Sequence, residues 1–170
     1  MLRQKGTHIT KKVFPINNGF INQLSVGKVG EADFLEYCEQ RSLIVQDVTM
    51  DKYYQSIDVD FIVNGYYTEL KTDNLIDKTG NFPIELVHHR KTGDRNGWYY
   101  YTQATYIIRY SRKSKRLYVL YFNKCKDYLL EHFEKRKWFD KQDNNYVTGL
   151  LVKVKDLQEL GFLRIIDIVQ

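Results

Sequence analysis

The apolar residues Phe34, Leu35 and Cys38 recur at helical spacing within 30–38, which predicts an amphipathic helix ending near Arg41. Segment 43–48 is a short β-rich run and predicts a strand. Segments 57–63 and 66–71 predict two more, joined by Asn64-Gly65, the strongest short-range hairpin signal. Strands are also expected at 82–88, 104–110 and 117–122, the last two forming a hairpin around the basic tip 111–116. Tyr128, Leu129, His132 and Phe133 predict a helix over 124–138, and residues 146–154 return to strand character. A short helix at 154–160 and a strand at 165–168 close the chain. This order predicts an α/β fold, a mixed central β-sheet flanked by helices.

Composition narrows the class. The 170 residues suit one domain, 1–170, and 43% hydrophobic against 28% charged residues can bury a core. No repeat or linker divides the chain, and Pro15 and Pro83 stand beside expected strands or turns. Two distant cysteines, Cys38 and Cys125, exclude a disulfide scaffold and suit packing in a reducing cytosol. No apolar run reaches the roughly 18 residues of a membrane span, and the start lacks a secretory leader, so a cytoplasmic protein without a membrane partner is expected. Charge is unevenly placed: residues 1–85 carry a net −3, residues 86–141 a net +9 and residues 142–170 a net −1. A central basic block is a possible footprint for nucleic acid, because Lys and Arg release phosphate counterions; a solvated surface is the alternative.

The segment with chemistry runs from Ser56 to Lys71. If Asn64 and Gly65 fill a two-residue turn, Phe61 faces Thr68, Asp60 faces Glu69 and Asp58 faces Lys71. Alternation then places Asp58, Asp60, Glu69 and Lys71 on one side, while Val59, Phe61, Thr68 and Leu70 face the other and can be buried. Carboxylates directly opposite one another, with Cβ atoms about 5 Å apart, repel unless one is protonated or a cation lies between them. A hard divalent ion such as Mg2+ relieves that repulsion, and Lys71 beside it could stabilise charge on a phosphate oxygen. Those parts suit phosphodiester hydrolysis; a solvated hairpin face with an Asp58–Lys71 ion pair is the structural alternative.

This Asp, turn, Glu-x-Lys arrangement resembles the core of the PD-(D/E)XK nuclease superfamily over residues from about 30 to 110, and is similar to its small phage or mobile-element members. Glu69-Leu70-Lys71 is the sole acid-x-Lys triplet in the chain. The resemblance implies a restriction-endonuclease-like core, with Asp60 as the central metal ligand and Glu69 as a second. The Leu70 carbonyl would be a third ligand, Lys71 the water-positioning base or electrostatic stabiliser, and Glu31, on the preceding helix, a ligand through water or to a second ion. No Pro precedes the acid, and the pattern alone does not choose between Asp58 and Asp60; the hairpin register favours Asp60, and a bulge would reverse that choice. The implied activity is Mg2+-dependent DNA endonucleolytic cleavage, with Mn2+ as substitute. Low sequence specificity or selectivity for branched DNA, as in Holliday-junction resolvases, is expected, because no helix-turn-helix or zinc-finger spacing is present. A homodimer would supply two cuts. The competing class is a non-catalytic nucleic-acid-binding or protein-interaction module on the same fold, and an RNA-directed nuclease is a third.

Other residues carry weaker signals. Glu85, on a strand placed next to the Glu-x-Lys strand, could reach the metal or stay at the surface. Asp73 and Asp77 suit a loop and a turn. His88 and His89 point to opposite faces of a strand, which disfavours a zinc site. Arg90, Lys91, Arg95, Arg112, Lys113, Lys115 and Arg116 fall in two expected loops and could grip DNA, with Trp98, Tyr99, Tyr100 and Tyr101 between them.

Overall fold

The computed structural model describes residues 18–140 and 145–168, with side chains from residue 27 onward; Pro15 lies outside them. The elements, in chain order, begin with α1 (Asn18–Gln40), β1 (Val45–Asp47), α2 (Lys52–Ser56), β2 (Phe61–Val63) and β3 (Tyr66–Thr72). Then come α3 (Ile76–Thr79), β4 (Asn81–Arg90), β5 (Gly93–Asn96), α4 (Trp98–Tyr101), β6 (Tyr106–Ser111) and β7 (Arg116–Tyr121). The chain continues through α5 (Phe122–His132), β8 (Lys135–Asp140), β9 (Asn145–Lys153), α6 (Val154–Glu159) and β10 (Leu163–Asp167).

The strands build a mixed six-stranded sheet in the order β1-β2-β3-β6-β7-β10, in which β3 and β6 run parallel. The fold is therefore mixed α/β with a mixed central sheet and helices, as expected. The chain also forms a second sheet, four antiparallel strands in the order β5-β4-β9-β8. That sheet corrects the reading of Glu85: β4 does not adjoin β3, whose neighbours are β2 and β6.

Alternation along β3 and β6 explains the two cores. Leu70, Ile108 and Tyr110 face α1, where they meet Phe34, Cys38 and Phe61. Ile107, with Leu120 of β7, faces Phe82 and Ile84 of β4 and Leu150 of β9. Glu69, Lys71 and Arg109 are in phase with Ile107, because Glu69 pairs with Ile107 and Lys71 with Arg109. They therefore stand on the face turned towards the second sheet. Both cysteines are buried, and burial pushes their thiols up, to about 11 for Cys38 and about 12 for Cys125, as packing residues require.

Two expected elements change. The strand over 57–63 begins only at Phe61, because α2 precedes it and Asp58 takes a positive φ of 54° on leaving that helix. Asp51 caps α2 by accepting a hydrogen bond from the Tyr53 N–H at 2.8 Å. The helix over 124–138 ends at His132, after which Phe133 is extended and Lys135–Asp140 pairs with β9. Pairing with a neighbouring strand overrides helical spacing there.

Helix α1 reaches β3 through Gly30. A Cβ on Gly30 would lie 2.2 Å from Thr72 Oγ1, so a side chain there would have to displace Thr72. This approach brings the first turn after Gly30, and with it Glu31, beside the end of the Glu-x-Lys strand.

Candidate functional site

The hairpin register holds for Val63/Tyr66, Ile62/Tyr67 and Phe61/Thr68, around a turn in which Asn64 and Gly65 both have positive φ. It goes no further. The Asp60 N–H donates to the Thr68 carbonyl at 3.0 Å, so Asp60 and Phe61 both lie against Thr68, and the Asp60 carbonyl accepts from Val48 at 3.0 Å. Asp60 Oδ2 takes the Leu70 N–H at 3.0 Å, standing where the next backbone acceptor of β2 would be. Within a strand the N–H and C=O of one residue point to the same edge, so the Leu70 carbonyl shares this edge with Asp60.

Although the ladder ends, the expected residues meet. Asp60 and Glu69 lie close enough for each carboxyl to perturb the other. Lys71 Nζ donates to Glu69 Oε1 at 2.6 Å and lies 3.5 Å from Asp58 Oδ2. Asp58 arrives through the positive-φ turn rather than by strand alternation, and its Oδ2 is buried without a hydrogen-bond partner.

Burial governs the electrostatics. It pushes the Asp58 carboxyl up to about 6 and the Glu69 carboxyl to about 7, with Lys71 pulling both down against it, and it raises Asp60. Burial also works against the charge of Lys71, but Glu69, Asp58 and Glu85 outweigh it and hold the ammonium well above the ordinary lysine range. The cluster is thus one firmly charged cation among carboxyls that ionise reluctantly.

Glu85 faces this cluster from the second sheet. Its Oε1 is 3.8 Å from Arg109 and its Oε2 is 3.2 Å from His88 Nε2. Burial raises its pKa, but His88, Arg109 and Lys71 overcome that and keep it below the usual carboxylate range. Arg109 was not anticipated. Its side chain is only 7% exposed, ion-paired to Asp73 at 3.2 Å and hydrogen-bonded to the Pro83 carbonyl at 2.8 Å. The legible signal was a lone charged residue inside the apolar run of β6, one strand over from Lys71. Tyr101, 45% exposed at the end of α4, was also missed; burial and then Asp58 raise its pKa, which places it beside the same acids.

Glu31 joins from α1. Burial, then Asp47 and, more weakly, Glu69 raise its carboxyl, while Lys28 draws it down. Two residues on, Asp33 accepts hydrogen bonds from Tyr110 at 2.7 Å and Lys115 at 3.1 Å, which ties α1 to the β6–β7 hairpin.

The basic positions divide. Arg90, Lys91 and Arg95 belong to the β4–β5 hairpin, not to an irregular loop, because β5 pairs with β4 from Val87 to Arg90. Arg112, Lys113 and Lys115 form the β6–β7 tip and Arg116 opens β7. Lys115 is paired to Asp33, and Arg116 to Asp167 at 2.7 Å. Asp73 and Asp77 have local duties: Asp73 accepts the Leu75 N–H at 2.8 Å ahead of α3, and Asp77 accepts from Ser111, Ser114 and Tyr118. His88 and His89 diverge, with His88 on Glu85 and His89 on Asp94 at 3.0 Å.

Among the described residues, no three His, Cys, Asp or Glu side chains converge closely enough to hold a metal ion. The donor set nevertheless fits a hard cation: oxygen donors only, with Asp60 and Glu69 adjacent and a buried Asp58 Oδ2 3.5 Å from Lys71 Nζ. Among the described residues, no helix is long and apolar enough to cross a membrane.

No protein family and no curated protein matches the chain. Among solved structures it is similar to a bacterial homing endonuclease, I-Ssp6803I, at 12% identity and a TM-score of 0.45, over 62% of this chain and 72% of that one.

Proposed function

We propose that the protein is a Mg2+-dependent endodeoxyribonuclease acting at Asp60, Glu69 and Lys71. The observation that carries this is the Asp60–Glu69 pair, with Glu69 buried and Lys71 Nζ 2.6 Å from Glu69 Oε1. Two carboxyls forced together by the fold cost stability unless their proximity serves a cation. Asp60, Glu69 and the Leu70 carbonyl would hold Mg2+, or Mn2+ in its place, with Glu31 bound through water. That ion would supply positive charge against the phosphate and make water more acidic.

Lys71 acts as an electrostatic stabiliser rather than a base, since its neighbours keep it protonated. Its Nζ donates to a non-bridging phosphate oxygen as negative charge grows there. Asp58, ion-paired to Lys71 at 3.5 Å, would accept a proton from the attacking water. The water oxygen bonds to phosphorus, the opposite P–O bond breaks, and the leaving oxygen takes a proton from solvent. Recognition of backbone and DNA shape suits a chain with no helix-turn-helix or zinc-finger spacing.

A non-catalytic nucleic-acid-binding module is the second reading, favoured by the failure of three acidic side chains to converge among the described residues. A nicking assay with Mg2+ on plasmid and branched DNA separates the two. Cleavage by the wild type that Glu69→Gln abolishes is expected; DNA binding with no cleavage in Mg2+ or Mn2+ supports the module.

A further inference from the structure

We propose that the face of the four-stranded sheet carrying Glu85 is the DNA-docking surface of this protein, with Arg95 and Arg136 as its two phosphate grips. This rests on the nuclease reading and names the surface that feeds its site.

The strand registers define the face. Glu85 of β4 pairs with Gly149 of β9, which pairs with Arg136 of β8, so the three form one row across the sheet. After the bulge between Glu85 and Val87, Arg95, His88, Val147 and Trp138 form the next row on the same face. This face is opposite the one that Ile84 and Leu150 pack against the six-stranded sheet; Glu85 links it to the acidic cluster, reaching Arg109 and His88 and lying within electrostatic range of Lys71. Arg95 and Arg136 flank it from opposite edges of the sheet, three strand spacings or about 14 Å apart. Both are exposed, and neither forms an ion pair with a described residue, in contrast to Lys115 and Arg116.

Gly149 lies between them on this face. A Cβ at Gly149 would lie 2.7 Å from the Trp138 ring and 2.0 Å from the Ile84 carbonyl, so glycine lets the indole lie down on the sheet. An exposed surface bearing two uncompensated guanidinium groups, next to carboxyls that favour a cation, complements a phosphate backbone. Arg136 lies outside the loops in which sequence reading sought DNA contacts.

The test is DNA binding in EDTA, which requires no catalysis, measured for a labelled duplex across a salt series. Arg95→Ala/Arg136→Ala should weaken binding by about tenfold or more at 50 mM salt and lower the salt slope by about two. Arg95→Lys/Arg136→Lys should recover most of it, and Lys155→Ala, on α6, should bind as wild type. Circular dichroism establishes that each variant is folded. Unchanged affinity and slope in the double alanine variant, no duplex binding by the wild type, or binding of RNA alone would each overturn the proposal. Loss of binding in a protein that never cuts DNA would uphold the surface and remove the catalytic reading.

Discussion

Lys71 Nζ lies 2.6 Å from Glu69 Oε1 and 3.5 Å from Asp58 Oδ2, so a single ammonium is shared by two carboxylates from different elements. Lys71→Ala should reduce Mg2+-dependent nicking by about 100-fold or more. It should also destabilise the fold by about 1–3 kcal/mol, because both acids lose their cation. Nicking rates and urea unfolding of the same variant measure the two effects.

Without divalent ions the acids should set the pH dependence of stability. Folded Asp58 and Glu69 have carboxyls raised to about 6 and about 7, so folding favours their protonated forms. That contribution is fully present below the unfolded carboxylate range of roughly 4 and is lost as pH rises through 6 and 7. The melting temperature in EDTA should therefore be higher at pH 5 than at pH 8. Glu69→Gln should flatten this difference, and Mg2+ at pH 8 should restore the loss in the wild type.

At the other end of the pH range, Tyr118 is pushed up to about 12 by burial and by its hydrogen bond to Asp77. Folding favours the neutral phenol, so its contribution is intact below the ordinary tyrosine pKa of about 10 and is lost as pH rises towards 12. Tyr118→Phe should be less stable at pH 8 and should show a smaller loss between pH 10 and 12, read by chemical unfolding.

Gly30→Ala should lift α1 from β3. Its new methyl meets Thr72 Oγ1, so a loss of about 1–3 kcal/mol is expected, with Thr72→Ala relieving most of it in a double-mutant cycle.

Arg109→Met should cost about 3–5 kcal/mol, since Asp73 and Glu85 would remain buried without their shared cation. Arg109→Lys should recover only part, because one ammonium cannot serve Asp73, Glu85 and the Pro83 carbonyl together. Thermal unfolding at pH 7 compares them.

Much of the site could be read from local chemistry. Asn64-Gly65 set the register of the hairpin, and that register brings Glu69 and Lys71 to the face on which Asp60 arrives. What stayed hidden depends on long-range pairing. Asp58 reaches Lys71 through a backbone turn that alternation does not foresee. Lys135–Asp140 carries helical spacing from the preceding segment and becomes a strand only because β9 offers it an edge. Gly93–Asn96, without an apolar residue, is a strand by virtue of its partner β4. The second sheet is centred on the long-range pairing of β4 with β9, which sets the place of Glu85 near Arg109.

Mn2+ binding followed by electron paramagnetic resonance at pH 8 tests the pairing of Asp60 and Glu69 most directly. The wild type should bind the ion, and Asp60→Asn and Glu69→Gln should each weaken binding by about tenfold or more. Equal binding by the wild type and the Asp60→Asn/Glu69→Gln double variant, or none by the wild type, would contradict a shared divalent cation.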